Sequence, residues 1–137
     1  LKARYLFLIP AIVYTIGILY LSLINLADTP VKELGMSDKV MHGGAYFGLN
    51  LLWMFFVIFN YKNNRFLAKI LVISLAAIVF GIFIEVLQDR LTTYRQLDLY
   101  DVLANSIGVV SAGIIVWLLK DSLIRLKAKI NLFFIKK

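Results

Sequence analysis

Four long apolar runs separated by short polar gaps constrain this chain more than any other feature. They extend over about Tyr5 to Leu26, Met41 to Phe59, Phe66 to Leu87 and Val102 to Leu119. A helix that crosses the hydrocarbon core of a bilayer needs roughly 20 mostly apolar residues. The runs meet or approach that length, and the fourth is the shortest. The gaps hold turn formers: Asp28, Thr29 and Pro30 in the first, Asn60, Lys62, Asn63, Asn64 and Arg65 in the second, and Asp89, Arg90, Thr92, Thr93 and Arg95 in the third. With 61% hydrophobic and 17% charged residues, the chain lacks the polar groups needed to cover a surface in water. The expected fold is therefore all-α: a polytopic membrane protein built as a four-transmembrane-helix bundle.

A chain of 137 residues suits one domain. We place the bundle in residues 1–120 and a basic tail in residues 121–137. In the tail, Leu123, Leu126, Ile130, Phe133 and Phe134 fall near one helical face, and Arg125, Lys129 and Lys136 on another, with Lys127 and Lys137 off the pattern. That reads as an amphipathic C-terminal helix lying in the membrane interface, with a frayed basic tail as the plain alternative. Lys2 and Arg4 precede the first run as in a signal peptide, but the run is too long and no small-x-small cleavage site follows.

The absence of cysteine excludes disulfide and thiolate chemistry, and a single histidine excludes a His-rich metal centre. A net charge of +7 can signal nucleic acid, but here it follows topology. Eleven of the 15 basic residues lie in the N-terminus, the second gap and its border, and the tail; only Lys32, Lys39, Arg90 and Arg95 lie in the first and third gaps and their borders. Both termini are therefore expected on the cytoplasmic side. Seven of the eight acidic residues fall in the opposite, outer half, Asp121 being the exception. No pattern in the sequence speaks to oligomeric state.

The polar residues also share faces. Asp38 and His42 are four apart at the outer end of the second helix, and Glu85 and Gln88 are three apart at the outer end of the third. Ser74, Gly81 and Glu85 make one stripe; Asp98, Asp101, Asn105, Gly108 and Ala112 make another. A helix facing lipid has no reason to align polar residues, whereas one facing a polar interior does. The pairs Gly44/Gly48 and Ala104/Gly108/Ala112 suit close helix contact. Each residue also has a plain reading. His42 can bond a neighbour at a helix end. Glu85 can sit at headgroup level, and Arg95 with Asp98 can be a solvated ion pair worth under about 1 kcal/mol. Asp98 can cap the fourth helix, Asp101 can favour its first turn, and Asn105 can join helices. Only their shared depth and face argue for a site.

The pattern Asp38-Lys39-x-x-His42, Glu85-x-x-Gln88, then Arg95-x-x-Asp98-x-x-Asp101-x-x-x-Asn105-x-x-Gly108 resembles the VanZ-like family of small bacterial membrane proteins. The match covers Ser37 to Ala112, although the loop "DRLTTYRQ" lacks the Pro-Gly often seen before the family arginine. The resemblance implies the bacterial cell envelope, and the family's founding member is associated with low-level resistance to the glycopeptide teicoplanin.

Two functions fit these residues. In the first, a site near the outer face binds or acts on a lipid-linked envelope precursor or a phospholipid headgroup. His42 is then an acid or base, Glu85 or Asp101 orients it, and Asp38, Lys39, Gln88, Arg95, Asp98 and Asn105 hold the substrate, with Arg95 on an anionic phosphate. In the second, the protein is non-catalytic and the cluster only locks helix packing. Asp38, His42, Glu85 and Asp101 are four potential metal ligands, but no recognised metal spacing joins them, and the sequence calls for no metal and no cofactor. An ion pathway is disfavoured, because the charged stripes stop near one face.

Threading is directly testable. Cysteines placed at Thr29 and Thr93 should react with an impermeant thiol reagent in intact cells, and one at Asn63 should not. Labelling at position 63 alone would invert the topology.

Overall fold

The computed structural model describes residues 4–24, 37–62, 64–93 and 96–135. All its regular structure there is helical: α1 (Arg4–Leu23), α2 (Asp38–Asn60), α3 (Phe66–Leu91), α4 (Leu99–Leu118) and α5 (Lys120–Ile135). The first four are long and apolar enough to span a bilayer. The protein is thus a multi-pass, four-helix membrane bundle followed by a fifth, C-terminal helix.

Helix ends extend beyond the apolar runs where the sequence supplies caps. The Ser37 hydroxyl accepts from the Val40 amide at 3.3 Å, so helix α2 begins at Asp38, three residues before its apolar run. Asp98 caps α4 by accepting from the Tyr100 amide at 2.7 Å, and Asp101 stands in the first turn, where the helix dipole favours a carboxylate. These capped first turns make Asp38, Lys39, His42 and Asp101 helical and therefore fixed in direction.

Successive helices run antiparallel, so α2 and α4 run parallel. Helix α1 lies along α2, with Phe7 against Phe59 at a ring separation of 4.8 Å and Trp53 Nε1 donating to Thr15 Oγ1 at 3.0 Å. Two apolar clusters fill the interior. Ile18, Tyr46, Leu49, Ala77 and Val109 pack in one half, and Met54, Ile58, Phe66, Ile70 and Val116 in the other. Between them the fully buried Asn50 donates to Ser74 Oγ at 3.1 Å and to the Val109 carbonyl at 2.8 Å, tying α2 to α3 and α4. Such interhelical bonds contribute about 1 kcal/mol in a membrane bundle.

The closest helix approach is between α2 and α4. A Cβ at position 108 would overlap the Gly43 carbonyl oxygen and lie 2.9 Å from its carbon, and a Cβ at 43 would sit 3.3 Å from the Ala104 carbonyl oxygen. The expected stripe Ala104/Gly108/Ala112 is therefore at a helix interface, but its partner is Gly43. Gly44 faces open space, and Gly48 receives the Tyr14 ring of α1. The 4-residue spacing of Gly44 and Gly48 was the stronger sequence signal, yet Gly43, next to His42, is the residue that meets α4.

Helix α5 follows α4 after a break at Leu119. Leu123 packs on the cluster of Met54, Ile58, Phe66, Ile70 and Val116. Lys127, off pattern in the amphipathic reading, donates to the Ile58 carbonyl at 2.7 Å and to the Tyr61 carbonyl. It thus satisfies carbonyls at the end of α2, as basic groups do at helix C-termini. Burial, then repulsion from Lys69, pushes its ammonium pKa down. The side chains of Phe133 and Phe134, together with Lys136 and Lys137, lie outside the described residues.

The α2–α4 contact makes a sharp prediction. Gly108→Ala should separate the helices, costing at least the ~1–3 kcal/mol typical of overpacking because the clash is with backbone. Gly44→Ala should change little. Thermal unfolding in detergent checks both; equal melting temperatures for Gly108→Ala and the parent would refute the close crossing.

Candidate functional site

The glycine crossing brings the start of α2, the end of α3 and the start of α4 together around His42. Its side chain is 12% exposed. Nδ1 lies 3.2 Å from Asn105 Oδ1 and 3.6 Å from Glu85 Oε1. Nε2 lies 3.7 Å from Asp38 Oδ1 and 3.7 Å from Asp101 Oδ2. Asn105 Oδ1 is only an acceptor, so the contact to it is a hydrogen bond when the ring proton sits on Nδ1. In that tautomer Nε2 carries a lone pair towards the two aspartates. One ligand atom from each of Asp38, His42 and Asp101 lies within 4.8 Å of the others.

Glu85 and Asn105 are each 2% exposed and Asp101 is 5% exposed. Polar burial of this degree costs several kcal/mol unless partners offset it. Lys39 provides one: its ammonium bonds Asp98 Oδ2 at 2.5 Å and Asp101 Oδ1. The sequence offers Arg95 as one possible ion-pair partner of Asp98; Lys39 reaches Asp98 because the first turn of α2 overlies the first turn of α4. Arg95 lies outside the described residues. Among the described residues, four carboxylates, Asp38, Glu85, Asp98 and Asp101, face one ammonium and one imidazole, so the cluster is acidic.

Gln88 does not join the cluster. Its Nε2 donates to the Ser22 carbonyl at 2.9 Å, anchoring the end of α1 to α3. Two residues that sequence reasoning missed do belong near it. Tyr46 is 2% exposed, and its ring, like the Asn105 amide, packs over Gly81, where a Cβ would lie 3.0 Å from the Tyr46 ring and 3.5 Å from Asn105 Nδ2. Asn50 continues the polar line one turn deeper. The i, i+4, i+8 spacing of His42, Tyr46 and Asn50 was the signal available for both.

The arrangement offers an imidazole with carboxylates on both ring nitrogens, at one end of a membrane bundle. It can exchange a proton, hold a cation, or orient a polar headgroup at the membrane boundary.

The Lys39 ammonium beside Asp98, followed by the Tyr100 amide, holds the Asp98 carboxyl below its ordinary value. A lowered folded-state pKa adds stability that is present above the unfolded value, about 3.9, and is lost as pH falls through the lowered one. Lys39→Met should raise the Asp98 midpoint in a carboxyl 13C NMR titration. An unchanged midpoint would remove Lys39 from the pair.

In comparisons with known proteins, no family model, no curated protein and no solved structure matches this chain.

Proposed function

We propose that this is a VanZ-like protein of the bacterial cytoplasmic membrane, with both termini in the cytoplasm and the His42 cluster at the outer boundary. There it binds, and through His42 acts on, the polar headgroup of a lipid-linked envelope component. The observation that carries this reading is the bracketing of one imidazole by Glu85 of α3 on Nδ1 and by Asp101 of α4 on Nε2. A charge constellation drawn from three helices at one depth is costly inside a membrane protein and marks functional positions. His42 serves as acid or base, Asn105 fixes its tautomer, and Lys39 with Asp98 closes the exposed edge. The basic excess of the second gap and tail supports the orientation. The motif order from Asp38 to Gly108 supports the family and, with it, a link to glycopeptide tolerance.

A second reading is favoured by one observation. His42 adjoins the Gly43–Gly108 backbone contact, so its bonds also fix the register of α2 against α4. In that case the cluster is a packing lock and the protein acts through a partner.

Expression in a teicoplanin-susceptible bacterium separates the two. The site reading predicts that the parent protein raises the inhibitory concentration and that His42→Ala and Glu85→Gln abolish the rise at normal membrane levels. Lost protein in both variants would favour the lock. Normal levels with the full rise retained would rule out the site.

A further inference from the structure

We propose that Asp38, His42 and Asp101 bind a divalent transition-metal ion, with Zn2+ and Mn2+ as its closest chemical matches. The proposal builds on the reading above in that it uses the same site, and its test separates the two.

Three ligand atoms of the right kinds converge from two helices. Asp38 and His42 lie one turn apart on α2, and Asp101 reaches them from the first turn of α4. The Nε2–carboxylate separations are both 3.7 Å, and all three atoms lie within 4.8 Å of one another. Metal–ligand bonds of about 2.0–2.2 Å in tetrahedral geometry set ligand atoms roughly 3.3–3.6 Å apart. The side chains need to close by a few tenths of an ångström to roughly 1.5 Å, which rotamer adjustment at a helix end supplies. Three protein ligands with a further position open is the arrangement of reactive, rather than structural, zinc sites.

The surrounding groups match what a metal ligand set requires. A ligating histidine donates its other ring nitrogen to a carbonyl or carboxylate, and the 3.2 Å contact from Nδ1 to Asn105 Oδ1 does this. The tautomer so fixed directs the Nε2 lone pair at the two aspartates. Lys39 bonds Asp101 Oδ1, which leaves Oδ2 turned to His42. A second, separate feature points to a bound group. Asn105 is 2% exposed with its carbonyl on His42, yet its amide Nδ2 has no hydrogen-bond partner among the described residues, and neither has the hydroxyl of buried Tyr46. Buried polar groups of native proteins nearly always find partners. These donors lie beside Gly81 on the Nδ1 side of the ring, and Asn105 joins them to the ligand histidine through its Oδ1. One imidazole among the ligands favours zinc or manganese over Mg2+ and Ca2+, which prefer all-oxygen shells. A divalent ion also reconciles an acidic cluster with an anionic, phosphate-bearing headgroup, since it can bridge carboxylate and phosphate oxygens.

The full chain, purified in detergent and stripped with chelator, should be titrated with Zn2+ and with Mn2+ by calorimetry, and its metal content measured after dialysis. One equivalent should bind. Asp38→Asn and His42→Ala should each weaken binding by at least about tenfold, and Asn105→Ala by about 10–100-fold, the usual effect of removing a group that orients a ligand. Asp121→Asn should have no effect. Asp38 has a side chain 46% exposed, so Asp38→Asn keeps the fold and the test does not depend on the more buried positions. No binding, or equal binding by the parent and the Asp38 and His42 variants (an adventitious ion only), overturns the proposal. If His42→Ala abolishes metal binding but leaves teicoplanin tolerance intact, the metal site stands and the headgroup function falls. If tolerance is lost while the parent binds no metal, the reverse holds.

Discussion

The polar end of this bundle depends on the contact between the backbones of Gly43 and Gly108. Side chains on two neighbouring helices normally hold the axes 8–10 Å apart. A Cβ at either position would meet carbonyl groups of the other helix, so two glycines permit an approach that other residues forbid. Because α2 and α4 run parallel, that approach lays the first turn of one beside the first turn of the other. His42 then meets Asn105, and Lys39 meets Asp98 and Asp101. In a bilayer, where apolar side chains gain nothing by leaving lipid, packing of this kind and interhelical hydrogen bonds supply the association.

The third helix completes the arrangement from the opposite direction. Gly81 admits Tyr46 and Asn105 against its backbone, and Glu85, one turn further on, reaches His42. Gln88 and Ser22 fasten α1 at the same level. Deeper in the bundle the network narrows to Asn50 with Ser74, and beyond it the interior is apolar. Among the described residues, the carboxylate cluster thus lies at one end of the bundle. This agrees with the roughly 2.5–3.5 kcal/mol cost of an ionised residue at a helix centre, which falls towards the interface. The other end is secured differently, by Lys127 of α5 on the last carbonyls of α2.

Much of this was legible in the sequence because membrane helices announce themselves by length and apolarity, and because a polar stripe in an apolar helix has few explanations. The four spans, the Asp98 cap and the convergence of His42 with Glu85, Asp101 and Asn105 followed from spacing alone. What was not legible depended on rotation and crossing angle. Gly43 and Gly44 after the histidine both suit a close backbone approach, and the 4-residue repeat with Gly48 singles out Gly44, although Gly43 is the one that meets Gly108. Gln88 shares a face with Glu85 in projection, yet its amide reaches the Ser22 carbonyl at the end of α1. Lys39 was legible as a gap charge and as a candidate substrate contact, and only the overlap of two first turns makes it the partner of Asp98 and Asp101. Asn50 was hidden within the second apolar run, where its lone amide barely alters the hydropathy.

The central claim is that one imidazole is bracketed by carboxylates from two other helices. The chain has a single histidine, so a solid-state NMR measurement in bilayers reports on it without assignment ambiguity. With 15N-histidine and 13C-labelled aspartate and glutamate, dipolar dephasing should place carboxyl carbons within about 5 Å of both ring nitrogens, as facing oxygens at 3.6 and 3.7 Å require. Glu85→Gln should abolish the carboxylate contact at Nδ1, and Asp101→Asn should weaken the one at Nε2, which Asp38 shares. A ring with no carboxyl carbon inside that distance on either nitrogen would contradict the account.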